Sequence, residues 1–252
     1  MIKLNYKKNY IIKTMLSILF FITILKTYAY GGVINMDVNG NAVETLEVLM
    51  LMTIITLLPS ILIMMTSFTR IIIVLSFLKN ALGLQQTPPN QVMIGIAIFL
   101  TLFIMSPVIE EINIDAYQPY KNEEITQQEF YTKASGPIKI FMLKQTGSSE
   151  IKMFTDMSRD EEIRNTKDIE KLPLTIIIPS FVTSELKRAF IMGFLLFIPF
   201  LIIDMIVASI LMSMGMMMLP PVMISLPFKI LLFVVVDGWS LLFKTIVASF
   251  NF

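Results

Sequence analysis

Residues 189–221 read AFIMGFLLFIPFLIIDMIVASILMSMGMMMLPP, and this stretch decides the fold class. An α-helix needs ~20 apolar residues to cross a bilayer, and the stretch exceeds that length with Asp204 as its single charge. It ends in a cluster of methionines before Pro220 and Pro221, where a helix cannot simply continue. We therefore predict a long apolar helix followed by a methionine-rich loop.

Three further apolar blocks lie at residues 46–68, extended past Arg70 by 71–78, at 92–109 and at 230–250. The chain has 252 residues, of which 55% are hydrophobic and 15% charged, with a mean hydropathy of +0.74. Soluble domains carry about 25% charged residues. Lipid or partner subunits must therefore surround part of the chain, and hydropathy alone predicts four transmembrane helices.

Composition also excludes several kinds of site. The sequence contains no cysteine and no histidine, which excludes disulfides, thiol chemistry, Cys/His metal sites and Ser-His relays. The net charge of +1 gives no indication of nucleic-acid binding. We expect no cofactor, no metal and no nucleic-acid partner.

The N-terminus has the pattern of a secretory signal peptide. Four lysines precede a short apolar stretch at 15–25, and Thr27 and Ala29 provide small residues before a cleavage point. We predict cleavage after Ala29, giving a signal peptide at 1–29 and a mature N-terminal segment at 30–45. The alternative is a retained first membrane anchor.

Prolines interrupt the apolar blocks. Pro59, Pro107 and Pro199 lie inside or at the ends of the runs, and proline pairs at 88–89 and 220–221 mark turns. Such helices should be kinked or broken, and broken helices at membrane depth need protein or a water-filled cavity around them. We predict two helical hairpins, at 46–109 and 189–252, in a channel-like or oligomeric assembly.

Between the hairpins, residues 110–188 hold most of the charged side chains and predict a small helical periplasmic subdomain. Thr126 and Glu129 have the spacing of a capping box. Gly136-Pro137 should end one helix and start another, and Gly147 marks a further break. The charged stretch 157–171 predicts a solvated loop.

The methionines at 216–218 are the most unusual local feature. Methionine is unbranched and polarizable, so a ring of it can close a hole and deform around different guests. We call this arrangement the gasket. The alternative is that methionine is an apolar filler, since the chain contains 20 of them.

Two aspartates, Asp204 and Asp237, lie inside apolar blocks, where a carboxylate usually marks a pathway, a partner or a site. They could form the dyad of an intramembrane aspartyl protease or relay protons in a solute transporter. The structural alternative, which we favour, is pairing with Arg70, Lys229 or Lys244, or capping at the Asp237-Gly238 break.

Glu185 opens the third apolar block, just before Lys187 and Arg188. An acidic residue in a first helical turn suits the helix dipole, which is one explanation of Glu185. An ion pair between subunits is the other.

Taken in order along the mature chain, the stretches from FTRIIIVLSFL (68–78) to VDGW (236–239) resemble the FliP/SctR family of type III secretion export-gate proteins. The likeness covers nearly the whole mature chain and is lowest in the signal region and at 148–171. The signal peptide and the DAYQP stretch at 115–119 favour the flagellar branch over the injectisome branch. The other stretches that carry the resemblance are FTRIIIVLSFL (68–78), NALG (80–83), QTPPNQ (86–91), FLTLFIMSP (99–107), FMLKQT (141–146), VTSELK (182–187), IPFLIID (198–204), MGMMM (214–218), PFK (227–229) and VDGW (236–239).

The resemblance implies an assembly of five copies with FliQ and FliR, next to FlhB and FlhA, that forms the gate for unfolded flagellar proteins. The fold it implies is all-α, with bent hairpins that assemble into a helical cone at the inner membrane, within the flagellar basal body. No enzymatic activity is implied. It places the gasket at Met216, Met217 and Met218, and subunit contacts at Phe141, Phe154, Glu185 and Lys229.

Overall fold

The fold was obtained as a computed structural model, which describes residues 42–84, 87–165, 168–216 and 219–251. Within these residues all regular secondary structure is helical, which confirms the predicted all-α class. The predicted signal peptide, at 1–29, and residues 30–41 lie outside the described residues. The chain divides into two compact units, Met1–Thr56 and Leu57–Phe252.

The described helices are numbered here in chain order. A π-helical stretch, Asn113–Tyr117, connects the third to the fourth, and a 3₁₀ turn, Ile169–Lys171, precedes the eighth. The helices are α1 (Ala42–Met65), α2 (Phe68–Ala81), α3 (Asn90–Ile112), α4 (Gln118–Lys121), α5 (Gln127–Gln145), α6 (Ser148–Asp156), α7 (Glu161–Asn165), α8 (Leu174–Ser213), α9 (Pro221–Val235) and α10 (Gly238–Ala248).

The core of the second unit lies around α2. Ile71, Val74, Leu75, Leu78 and Ala81 are almost fully buried and recur at intervals of three and four residues, so they form one face of the helix. α2 packs most extensively against α8 and also against α3, and α8 in turn contacts α5, α6 and α9. The pair α2 and α8 is therefore the frame on which the other helices are placed.

Two described helices are long and apolar enough to cross a membrane. One is the continuous run Asn90–Lys121, of 32 residues, and the other is α8, of 40 residues. Two further pairs of helices are bent, α1 with α2 and α9 with α10, the latter by 66°. If each bent pair is counted as one span, the described helices give up to four membrane spans. Four is the number that hydropathy predicts.

Gly136-Pro137 does not break the helix, so this part of the sequence prediction is wrong. α5 continues through both residues, because Pro137, Phe141 and Met142 are buried in it against neighbouring helices. Tertiary burial outweighs the one backbone hydrogen bond that proline removes. The capping box of Thr126 and Glu129 is confirmed, and so is the break at Gly147, which is the N-cap of α6.

α8 begins at Leu174, well before the apolar block predicted at 189. Glu185 therefore lies about three turns inside the helix, and the explanation of Glu185 as a first-turn residue is wrong. The stretch 157–171 contains α7 and the 3₁₀ turn, and most of its described side chains are exposed. The division into domains at 45, 109 and 188 stays a prediction.

Candidate functional site

The methionine loop begins where α8 ends, in a Schellman motif. The amide of Met216 donates to the Leu211 carbonyl at 3.0 Å, and the amide of Gly215 donates to the Met212 carbonyl at 3.0 Å. Gly215 has φ +74°, a left-handed conformation that glycine adopts without a Cβ penalty. The helix therefore stops at a fixed point, which sets where the loop starts.

Met216 follows this stop and is 41% exposed. Its carbonyl accepts from the amide of Leu219 at 3.4 Å, and α9 starts after Pro220, so the loop is short. Met217 and Met218 lie outside the described residues. The predicted loop position is thus confirmed for Met216, while the gasket role of the three methionines stays a prediction.

Asp204 pairs with Lys229, one of the partners proposed from the sequence. The Nζ of Lys229 lies 2.6 Å from Oδ2 of Asp204, and the hydroxyl of Ser225 donates to Oδ1 at 2.5 Å. Lys229 is 2% exposed, and its Nζ also donates to the Ala81 carbonyl at 3.1 Å. Ala81 is the last residue of α2, so Lys229 ties the end of α2 to α8 and α9.

Asp237 lies at the bend between α9 and α10, which confirms the predicted break. Its φ is +50°, its amide donates to the Val234 carbonyl at 3.1 Å, and its side chain makes no capping hydrogen bond. Aspartate tolerates the left-handed region better than most residues. Capping by the Asp237 carboxylate is therefore wrong, although the residue does make the turn.

These contacts bear on the catalytic alternatives. Both carboxylate oxygens of Asp204 are engaged, one by Lys229 and one by Ser225, whereas a protease dyad needs two carboxylates that share a proton. Among the residues that the structure describes, no group of three or more acidic side chains could hold a metal ion.

Arg70 pairs with Glu185, not with either aspartate as the sequence suggested. Its Nε lies 2.8 Å from Oε2 of Glu185, its Nη2 contacts Oε1, and both side chains are fully buried. Two parallel N–H···O bonds are the strong, specific form of an arginine–carboxylate pair. Lys244, the other proposed partner, has no ion pair with a described residue. One signal could have indicated the pair: each residue is a charge at the edge of an apolar block.

Arg70 also holds the residues that follow α10. Its Nη1 donates to the carbonyl and the hydroxyl of Ser249, both at 2.8 Å, and its guanidinium lies 3.8 Å from the ring centroid of Phe250. Gln145, at the end of α5, donates to the Asn251 carbonyl at 2.5 Å and accepts from the Asn251 amide at 3.2 Å. Sequence reasoning missed this cluster because its members are far apart in the chain.

The residues predicted at subunit contacts occupy different environments. Phe141 is 4% exposed and lies 6.4 Å from Phe250, ring centroid to ring centroid, while Phe154 is half-buried on α6. Glu185 and Lys229 are buried in the ion pairs described above. A role at contacts between copies stays a prediction for all four.

A third polar cluster joins α6 to α8. The Nζ of Lys187 donates to Oε1 of Glu150 at 2.9 Å, Ser149 donates to the other oxygen at 2.7 Å, and the Gly147 amide donates to the Ser184 hydroxyl at 2.9 Å. The hydrogen bond from Lys187 and then that from Ser149 lower the pKa of Glu150 to about 2. The start of α6 is thus fixed against α8.

Known proteins are similar in sequence to this chain over most of its length. The sequence model of the FliP family matches residues 51–246. The flagellar biosynthetic protein FliP of Bacillus subtilis (strain 168) is 55% identical over 83% of this chain and 94% of its own length. Proteins of the same name from Pectobacterium carotovorum and Aquifex aeolicus are 50% and 49% identical, each over 84% of this chain and over 82% and 89% of their own lengths. The chain therefore belongs to the FliP family of flagellar biosynthetic proteins.

Proposed function

We propose that the chain is a core subunit of the flagellar type III protein export gate. With FliQ and FliR it would form the channel through which unfolded flagellar proteins cross the inner membrane, within the flagellar basal body. Membership of the FliP family and the flagellar names of its relatives support this proposal. They also favour the flagellar over the injectisome branch.

The observation that carries the proposal is the apolar surface that the chain leaves uncovered. In the most apolar 18-residue stretch of α8, only 17% of the stretch is buried. In the corresponding stretch of Asn90–Lys121, 33% is buried. Lipid or protein must cover such faces. We propose that sister copies and partner subunits do so, with bent hairpins in a cone of five copies next to FlhB and FlhA. Exposed apolar residues on α3 and α8 include Phe99, Leu102, Phe103, Phe190, Phe194, Leu195, Met205 and Ile206.

We further propose that the loop at 216–218 is the gasket of this channel. The Schellman stop at Gly215 and the proline start of α9 at Pro220 fix the two ends between which these methionines lie in the sequence, which supports the proposal. A ring of flexible thioether side chains can close the pore when it is empty and can fit around an unfolded chain that passes through it.

The test replaces the three loop methionines with alanine in the assembled complex. We expect the variant to assemble and to leak small ions across the membrane, because the shorter side chains leave the pore open. Replacing three exposed methionines elsewhere, Met52, Met64 and Met157, is the matched control and should leave the membrane tight. A tight membrane in the loop variant would contradict the gasket.

We propose no catalytic step. The hydrogen bonds and ion pair of Asp204 support a structural role, in which Lys229 holds α2, α8 and α9 together. Replacing Asp204 or Asp237 with asparagine tests the protease and proton-relay alternatives. If either function existed, each variant would fold and lose it; retained function in either variant would end those alternatives.

A further inference from the structure

An apolar groove of about 500 Å³ lies between α8 and α10, with residues of α2 and α9 completing its lining. Its volume is in the range of small-ligand sites. Thr245 is the one polar side chain among the described residues that line it, and its hydroxyl donates to the Leu241 carbonyl at 2.8 Å. The walls therefore offer an occupant apolar contact and almost no hydrogen bonding.

The length of the groove matches one leaflet of a bilayer. On α8 its lining runs from Met192 to Phe200, which is about 12 Å at 1.5 Å per residue. The hydrocarbon core of a bilayer is ~30 Å thick, so one leaflet provides about half of that. The groove is thus long enough for most of one acyl chain laid along α8.

One end of the groove lies next to the charged segment of the chain. Arg70 contacts both Glu185 of α8 and Ser249, which follows α10, so the end of α10 lies beside the first half of α8. That half of α8 is also joined to the start of α6. Met192 and Thr245 therefore line the end nearest the charged segment, which we call the mouth of the groove.

Two cations lie at the mouth. Arg188 precedes Met192 by one turn on the same face of α8, and Lys244 directly precedes Thr245. Neither forms an ion pair with any residue in the described part of the chain, and both oxygens of Glu185 are held by Arg70. An apolar groove with two such cations at its mouth is complementary to a molecule with an apolar chain and an anionic head.

We propose that the groove binds one acyl chain of an anionic phospholipid, whose phosphate lies at Arg188 and Lys244. Basic sites between membrane helices hold anionic headgroups in this way. An apolar helix of a second copy could also cover the walls, but it would bring no anion to the two cations. The inference concerns the chain's own groove, so it stands or falls separately from the proposed export function.

The single tryptophan of the sequence, Trp239, reports on the deep end of the groove. It follows Gly238, and its ring lies 5.4 Å from that of Phe233, centroid to centroid; both of these residues line the groove. Bromine quenches tryptophan fluorescence at short range. We expect phosphatidylglycerol brominated halfway along its acyl chains to quench Trp239 in the full purified chain in detergent, with saturation at about one lipid per chain.

Filling the groove separates this site from general contact with lipid. Thr245→Phe places a ring in the mouth from an exposed position and should abolish the saturable quenching. Leu201→Phe is the matched control, because Leu201 is 43% exposed and lies half a turn around α8 from Met192, outside the groove. It should bind as the wild type does. Equal quenching in both variants would overturn the proposal.

The headgroup is tested by removing the cations one at a time. Arg188→Gln and Lys244→Gln should each weaken binding of the brominated phosphatidylglycerol about fivefold, the contribution of one cation near an anionic surface. Lys152→Gln, an exposed lysine of α6, is the control and should change nothing. Equal affinity for phosphatidylcholine with the same chains would overturn the anionic site. Absence of saturable quenching would overturn the whole proposal, including the case in which a second copy covers the groove.

Discussion

Gly193 sets how closely α8 approaches α2. A Cβ at this position would lie 2.4 Å from Cγ and 2.9 Å from Cβ of Phe77. Those atoms are close to the α2 backbone, so the ring cannot swing away without moving the helix. Phe77 also packs edge-on against Phe190 of α8, with ring centroids 5.4 Å apart. Gly193 is therefore a packing requirement of the central helix pair.

Gly193→Ala should lower the free energy of unfolding by about 1–3 kcal/mol, the usual cost of overpacking a core. Denaturant titration of the chain in detergent measures this change. Gly95→Ala is the matched control, because Gly95 also lies in a long apolar helix and a Cβ there meets nothing within 4 Å. If both variants were equally stable, the close approach at Gly193 would be refuted.

Glu150 should make the contact between α6 and α8 sensitive to acid. The pKa of its carboxylate is lowered from 4.5 to about 2, first by the hydrogen bond from Lys187. A carboxylate with a lowered folded-state pKa adds stability above its unfolded pKa, and this is lost as pH falls through the folded value. The loss should therefore occur between pH 4.5 and pH 2.

The side chain of Lys187 is 61% exposed, so solvent screens the pair and we expect the contribution to be on the order of 1 kcal/mol. The measurement is the unfolding free energy of the wild type and of Glu150→Gln at several pH values. The difference between them should shrink as pH falls through this window. A difference that stays constant down to pH 2 would show that the carboxylate is not what joins α6 to α8.

At the scale of helices, α5 shows why sequence patterns placed a break where none exists. Gly136-Pro137 is a strong local stop signal, but three residues around it are buried against other helices. The same limit explains α8. The charges at 185, 187 and 188 make 174–188 look like part of the charged segment, yet Ile177, Phe181 and Glu185 are buried on one face. Burial depends on neighbours that are distant in sequence.

Gly136→Ala should stabilise α5 by about 0.5–1 kcal/mol, because alanine restricts the unfolded chain more than glycine does. A Cβ at Gly136 has nothing within 4 Å, so no clash offsets this gain. Thermal unfolding of the purified chain is the measurement. A destabilised variant would mean that the helix is broken at this point after all.

The same reasoning separates what the sequence predicts about the polar sites from what it does not. The pair of Asp204 and Lys229 was among the expected partners, because Asp204 lies within the third apolar block and Lys229 directly precedes the fourth. The pair of Arg70 and Glu185 was not, since 115 residues separate them and either could have faced another subunit. The paired contacts of Gln145 with Asn251 carry no sequence signal, because the partner atoms are backbone.

At the scale of the whole molecule, the chain exposes apolar side chains on its long helices to a degree that water does not favour. Phe99 on α3 is 74% exposed and Phe194 on α8 is 66% exposed. Met157, just after α6 in the charged segment, is 72% exposed in the same structure. The three side chains are thus similarly exposed in the single chain. If lipid or other subunits cover the long helices, Phe99 and Phe194 are shielded from water while Met157 is not.

Single cysteines test this directly, because the native sequence contains none. In membranes, Phe99→Cys and Phe194→Cys should resist a membrane-impermeant maleimide, whereas Met157→Cys should react, since burial in lipid or protein blocks a water-borne reagent. All three should react equally after denaturation, which controls for expression and oxidation. Rapid labelling of the first two in intact membranes would mean that water reaches both helix faces, and neither could then lie against lipid or a partner.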